Sequence, residues 1–329
     1  MTDATLDRVE GLGDAVPVDG CEVRFERASI GDMDVRALAG PRSRAVTEIG
    51  LEPFLLAYAN EGFREYTLLP VFPLRAFRHK SIFVRSDKGI EQPEDLRGKR
   101  VGTSGYSTTS LTWIRGMLEH DHGIRPDELR WVLSDEDSSA DLAGRRSEHE
   151  QDLPEGLDIA RGTAGRNESD LLVDDEVDVL FHATEPQAFV DGNPLVRRLF
   201  PDSRAAERAY YAKTGIFPIM HAVAIRTDVA ETHPGLPEAL FSSYVVAKRR
   251  AMRRLRTLGW AMISLPWLAQ EEAATRELMG ENYWPYGVEA NRVALAALLQ
   301  YSHEQGLTSR ELAVDELFHP ATLALADDA

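Results

Sequence analysis

Over its first two thirds this chain alternates short β-rich runs with helix-patterned segments, and that alternation limits its fold more than any other feature. CEVRFERAS (from Cys21) alternates like a half-exposed strand, and TLLPVFPL (from Thr67) and Ser81–Arg85 are rich in β-branched and aromatic residues. A polar stretch, RAFRHK, separates the last two. LRGKRVGTS feeds a short strand that ends at Thr103-Ser104-Gly105, and from Ser107 to His120 the residues Leu111, Ile114 and Leu118 share one helical face. GLDIAR, a helix near Glu168 to Asp174 and VDVLF repeat the pattern. The last third is helical by its periodicity over 234–258, 270–279 and 288–305, with Pro266 and Pro285 as breakers. From Ser134 to Pro154, Asp, Glu, Ser and Arg dominate, which predicts an exposed loop or insertion. Alternating units of this kind build parallel sheets flanked by helices, and ligands sit at the carboxyl ends of the strands. The expectation is two α/β lobes around a cleft, with the chain crossing between them near Lys99–Thr103 and Thr214–His221.

Charge and cysteine content narrow the function. With 329 residues, the chain is long enough for two domains and a core that needs no staples. The net charge of −17 repels phosphate backbones, so nucleic acid is excluded as a partner. One cysteine, Cys21, allows neither an internal disulfide nor a thiolate zinc cluster. No apolar run approaches the ~18 residues of a membrane span, and the first residues carry no signal-peptide pattern, so a cytoplasmic location away from membranes is expected. Homo-oligomerisation is compatible with all of this.

Three segments carry candidate chemistry. In Arg75-Ala-Phe-Arg78-His79-Lys80 the two guanidinium groups suit a carboxylate, because their planar forks pair it in bidentate fashion, and His79 can move a proton near neutral pH. The competing reading is a solvated basic turn. In Gly102-Thr-Ser104-Gly-Tyr106-Ser107-Thr108-Thr109, hydroxyls and backbone N–H groups at a helix start can cradle an anion, or merely cap the helix. The spacing fits neither a Walker loop nor the dinucleotide fingerprint, so no nucleotide cofactor is expected. His221, after Thr214-Gly-Ile-Phe-Pro-Ile-Met, stands at the start of a strand as a second proton-transfer candidate, and His182 follows the strand VLF. His79, His182, His221, Glu48 and Glu185 could converge as metal ligands, but no HxxxH or HExxH spacing supports them and no metal is expected. The arginine stretch at Arg249, Arg250, Arg253, Arg254 and Arg256 reads as a solvated helix face.

Six segments together resemble the bacterial 4,5-dihydroxyphthalate decarboxylase family: VFPLRAFRHKSIFV (71–84), DLRGKRVG (95–102), TWIRGMLEHDHGI (112–124), NPLVRRLFPD (193–202), YYAKTGIFPIMH (210–221) and MGENYWPYGVEANR (279–292). The resemblance runs from about Leu51 to Phe318. It implies an α/β, two-lobed, type II periplasmic-binding-protein-like (Venus flytrap) fold with a helical C-terminal part. Lobe 1 would comprise 1–100 plus 215–329, and lobe 2 would comprise 101–214. The implied activity is cofactor-free, non-oxidative decarboxylation of a hydroxylated aromatic carboxylate. Within it, His79 and then His221 would be the acid–base groups, and Arg75, Arg78, Glu48, Ser104, Tyr106, Ser107, Thr108, Thr109 and His182 would bind substrate. Three departures bear on the substrate: an N-terminal strand that is missing before Leu6-Asp7-Arg8, Ala45-Val-Thr-Glu48-Ile-Gly50 in place of a DVSEMS-like segment, and Thr184 where relatives are expected to carry arginine. The alternatives are a solute-binding protein for a small carboxylate, or a lyase acting on another carboxylated ring.

Overall fold

The computed structural model describes residues 2–3, 7–9, 12, 24–143, 147–154, 156–157, 159–257, 261 and 263–327. Cys21 lies outside them. Two sheets organise the chain. The first has the order β2-β1-β3-β11-β4, built from β1 (Thr2–Asp3), β2 (Glu26–Arg27), β3 (Val46–Gly50), β4 (Tyr66–Leu69) and β11 (His221–Arg226). The second has the order β10-β5-β9-β6-β7-β8, from β5 (Ile82–Arg85), β6 (Arg100–Thr103), β7 (Arg130–Leu133), β8 (Ile159–Arg161), β9 (Val179–Phe181) and β10 (Val196–Arg198). Strands β9, β6, β7 and β8 are mutually parallel, as the alternating sequence pattern predicts.

The first sheet corrects one expectation. The N-terminal strand is present in short form, with Thr2–Asp3 pairing parallel to both β2 and β3.

Of the two expected crossings, the one at Lys99–Thr103 is displaced, whereas the returning one runs through Pro218–Met220, within Thr214–His221. Arg100–Thr103 is an interior strand of the second sheet, flanked by β9 and β7, so the chain does not cross there. It leaves the first sheet after β4 and enters the second at β5, and it returns between β10 and β11. The two crossing segments lie side by side and antiparallel: Arg75 bridges Ile219, the Ala76 N–H donates to the Pro218 carbonyl (3.1 Å), and the Met220 N–H donates to the Leu74 carbonyl (2.9 Å). On sheet membership we place lobe 2 at about 82–198, earlier at both ends than the sequence implied.

Behind the cleft the two halves are packed together. Helix α3 (Thr109–His122) leaves the second sheet and lies against α2 (Leu51–Asn60) and α11 (Arg292–Glu304). Thr108 caps α3, its hydroxyl accepting from the Leu111 N–H, and Gly123 ends it in the left-handed conformation that a side chain resists. The contact with α11 is close: a Cβ on Gly116 would lie 2.1 Å from the Tyr301 ring. Trp113 closes the seam, donating its indole N–H to the Ile219 carbonyl on the returning crossing (2.9 Å). One apolar cluster therefore runs through both halves. Among the described residues, no helix is long and apolar enough to cross a membrane.

Candidate active site

A cleft of about 350 Å³ opens between the two sheets, within the range of small-molecule sites. On the second sheet it lies where the parallel strands end: Ser104 follows β6, Ser134 to Ser139 follow β7, and His182, Ala183 and Thr184 follow β9. On the first sheet, strand pairing builds the wall. In the antiparallel pair β3–β11, Val223 lies opposite Glu48 and His221 opposite Gly50. Side chains two apart share a face, so Glu48 reaches diagonally to His221. Its Oε1 lies 2.6 Å from the imidazole Nδ1. Glu48 is completely buried, whereas His221 lines the cleft, so the carboxylate acts on substrate only through the ring. Such a contact fixes the proton on Nδ1 and leaves Nε2 as the base.

Asp34, which the sequence reading passed over, sits beside this pair. It belongs to α1 (Ile30–Leu38), lines the cleft, and accepts the Gly50 N–H on Oδ1 (2.8 Å). Burial pushes its pKa up to about 7, with Glu150 adding to the rise and His221 opposing it.

The cleft lining also includes cations. Arg78 lines the cleft and donates from Nη1 to the Ala183 carbonyl (3.1 Å). Burial lowers its pKa to about 10, which leaves it charged at neutral pH. Among the described residues no carboxylate pairs with it within 4.0 Å. Lys80 also lines the cleft, as do Ser104, Thr108 and Thr109 at the start of α3. The Thr109 hydroxyl accepts the Glu52 N–H (2.9 Å), leaving its own hydrogen to donate.

His182 is buried among polar partners. Its Nε2 lies 3.1 Å from Glu168 Oε1 and 3.5 Å from Asp137 Oδ1, and its Nδ1 faces the Thr184 carbonyl and hydroxyl, each at 3.1 Å. Burial alone would depress its pKa, but Asp137, Glu168 and Thr184 together raise it. The sequence marked Thr184 as a departure; here it helps to orient the imidazole. Asp137, Glu168 and His182 offer ligand atoms within 4.8 Å of one another and are the described residues able to hold a cation. Serines already occupy much of both carboxylates: Ser138 and Ser134 donate to Glu168, and the Ser139 N–H and hydroxyl donate to Asp137 Oδ1 (2.8 and 2.7 Å). His79, Glu185 and His221 do not join this group.

Several expected site residues lie elsewhere. Arg75 is buried at the crossing, where it donates to Asn291 Oδ1 (2.8 Å) and to the Phe217 carbonyl (2.6 Å) and stacks over the Phe217 ring; it locks the hinge and does not reach the cleft. His79 is also outside the cleft, packed edge-on against Phe200 and Tyr210, and burial drops its pKa to about 4. Packed there, the ring is not among the residues that line the cleft. Tyr106 is core, with Arg115 over its face and Trp131 at its edge. Ser107 fastens the segment that read as an exposed loop: its N–H donates to the Glu150 carbonyl (3.2 Å) and its hydroxyl to the Asp152 carbonyl. That segment is part of the site. It brings Asp137, Ser139 and Glu150 to the cleft and meets the first half where His149 Nε2 lies 2.8 Å from Glu61. Its acidity was visible in the sequence, but the direction in which it folds was not.

A 4,5-dihydroxyphthalate decarboxylase of Comamonas testosteroni is 35% identical over 318 residues, which span 96% of this chain and 94% of that protein. The chain belongs to the 4,5-dihydroxyphthalate decarboxylase family. A second member, from Pseudomonas putida, is 33% identical over 166 residues, half of this chain and 62% of that one. A family model described as NMT1/THI5 like matches residues 71–146, from the outgoing crossing to the segment over the cleft. Among solved structures, a periplasmic sulfonate-binding protein SsuA of Methylobacillus flagellatus KT superposes with a TM-score of 0.54 at 14% identity, covering 93% of this chain and 82% of that one. The desulfurization enzyme DSZB superposes with a TM-score of 0.52 at 16% identity, covering 98% and 96%. At such identities the likeness concerns the fold alone, the two-lobed periplasmic-binding-protein-like architecture that this decarboxylase family shares.

Proposed function

We propose that the cleft decarboxylates 4,5-dihydroxyphthalate or a close hydroxylated aromatic dicarboxylate without oxidation. The observation that carries this reading is a buried carboxylate–imidazole pair, Glu48–His221, in the same cleft as the cations Arg78 and Lys80 and the hydroxyls at the start of α3. A 4,5-dihydroxyphthalate has carboxylates at one end of the ring and hydroxyls at the other. Each hydroxyl is para to a carboxylate.

Arg78 and Lys80 hold the carboxylate end, where a guanidinium fork and an ammonium replace lost hydration. His221 Nε2 takes the proton of a hydroxyl, and Glu48 stabilises the imidazolium that forms. The phenolate pushes electron density through the ring to the para carbon. That carbon takes a proton from solvent as its bond to the carboxylate breaks, so carboxylate plus solvent proton becomes ring C–H plus carbon dioxide. The hydroxyl is restored when His221 returns its proton. A receptor on the same scaffold needs only the cations Arg78 and Lys80. The buried carboxylate–imidazole pair favours catalysis.

The test is loss of 4,5-dihydroxyphthalate and release of carbon dioxide with purified protein, with and without chelator. Turnover that chelator leaves intact is expected. Arg78→Ala should raise KM more than tenfold, consistent with ~2–5 kcal/mol for a charged contact in a desolvated site. His221→Gln should bind substrate but turn it over ~10²–10⁴-fold more slowly. Saturable binding with no turnover would favour the receptor reading, and activity abolished by chelator and restored by a divalent ion would move the chemistry to Asp137, Glu168 and His182.

A further inference from the structure

We propose that Asp34 is the residue that selects a vicinal dihydroxy ring, donating a hydrogen bond from its neutral carboxyl to the hydroxyl next to the one that His221 deprotonates. The inference rests on the reading of the cleft given above and adds the determinant of its substrate class.

Three features of geometry lead to it. Asp34 and His221 meet at one residue: Gly50 is opposite His221 in the β3–β11 register and gives its N–H to Asp34 Oδ1. Two polar groups that meet at one residue can address two adjacent ring oxygens. Second, the carboxyl is held in one orientation. Oδ1 is committed to Gly50, and Oδ2 lies against the glycine, 2.8 Å from where a Cβ would stand. Gly50 is thus the residue that leaves room for this carboxyl. Third, Asp34 is buried yet lines the cleft, so a ligand can reach it where bulk water scarcely does.

Its surroundings favour the neutral form below about pH 7. Glu150 faces it from the segment over the cleft, Glu48 lies behind His221 on β3, and Glu52 is buried at the start of α2. His221 is the cation-capable group that opposes them. Burial, opposed by His221 and reinforced by Glu150, brings the Asp34 pKa to about 7. As an acid, its Oδ2–H donates to the second hydroxyl, which in turn donates to the phenolate formed at His221. As an anion it has no proton to give, competes with the phenolate for the single hydrogen of the second hydroxyl, and repels the phenolate. The chain of donors exists only for adjacent oxygens.

The test compares affinities for 4,5-dihydroxyphthalate and 4-hydroxyphthalate by calorimetry, which reads the preference whether or not turnover occurs and so separates this proposal from the decarboxylase reading. The wild-type protein should prefer the dihydroxy compound by roughly ten- to a hundredfold at pH 6, the worth of one buried hydrogen bond. That preference should decline as pH rises past 7. Asp34→Asn keeps an acceptor for Gly50 and puts an amide donor in place of Oδ2–H, so it should retain the preference and lose its pH dependence. Asp34→Leu should bind both compounds within about twofold of each other. A wild-type preference that is absent or independent of pH between 6 and 8 would overturn the proposal, as would Asp34→Leu retaining the full preference. If Asp34→Leu fails to fold, the wild-type and Asp34→Asn pH series decide the matter.

Discussion

Glu52 tests the packing that holds the two halves together. It stands in the first turn of α2, is completely buried, and accepts the Ser302 hydroxyl of α11 on Oε1 (2.6 Å). Arg115 of α3 contributes charge nearby, and Gln305 Oε1 in turn takes the Arg115 Nε–H (2.7 Å). Burial dominates these favourable contacts and pushes the Glu52 pKa from 4.5 to about 7. A carboxyl whose folded value lies above its unfolded value holds a proton that the unfolded chain has already lost. Its contribution therefore falls as pH rises between the two values, by ~1.4 kcal/mol per pH unit, and is flat above the folded value. Integrated from pH 5 to pH 8, that is about 2 to 3 kcal/mol. Glu52→Gln removes the titration but keeps an acceptor for Ser302. Its stability relative to wild type should improve by about that amount across the same interval, whatever its offset at pH 5. Asp34 titrates in the same window in both proteins and cancels in the difference. Urea unfolding at several pH values, followed by tryptophan fluorescence, measures the effect. A difference that did not change with pH would mean that Glu52 is hydrated, and that α2, α3 and α11 do not close on it.

Two further outcomes follow from the packing. His79→Phe should turn over within about twofold of wild type, because His79 is a buried neutral ring between Phe200 and Tyr210; a hundredfold loss in kcat would restore it to the mechanism. Its folded pKa lies below the unfolded value, so its contribution to stability is lost as pH falls from 6.5 towards 4, and the phenylalanine variant should resist acid better. Gly116→Ala should destabilise the protein by ~1–3 kcal/mol in denaturant unfolding, despite alanine's better helix propensity, because the added methyl meets the Tyr301 ring. An unchanged midpoint would refute the close approach of α3 to α11.

The sequence by itself determined the elements and the general place of the cleft. Hydrophobic periodicity is local, so β6, α3, β9 and α9 (Leu236–Arg256) could be read from their own residues, and a run of parallel strands puts a ligand site at their carboxyl ends. The basic and hydroxyl-rich turns that flank the cleft were legible for the same reason. Which members of those turns face a ligand was not. Arg75 and Arg78 are three residues apart with the same side chain, yet the pairing of Arg75 with Ile219 buries one at the hinge while the other opens into the cleft. The crossing itself was misplaced because Gly102 and its neighbours mark an ordinary strand, whereas the real crossing is defined by pairing between residues some 140 positions apart. Glu48 and His221 are 173 residues apart and meet only through the β3–β11 register. Asp34 carries no motif, and the acidic run after β7 looks solvated because composition reports polarity and not direction. What the tertiary structure alone decided is which polar groups lose their water. Burial, opposing charge and hydrogen-bond geometry set the chemistry of Asp34, His79 and His182, and all three depend on neighbours that are distant in sequence.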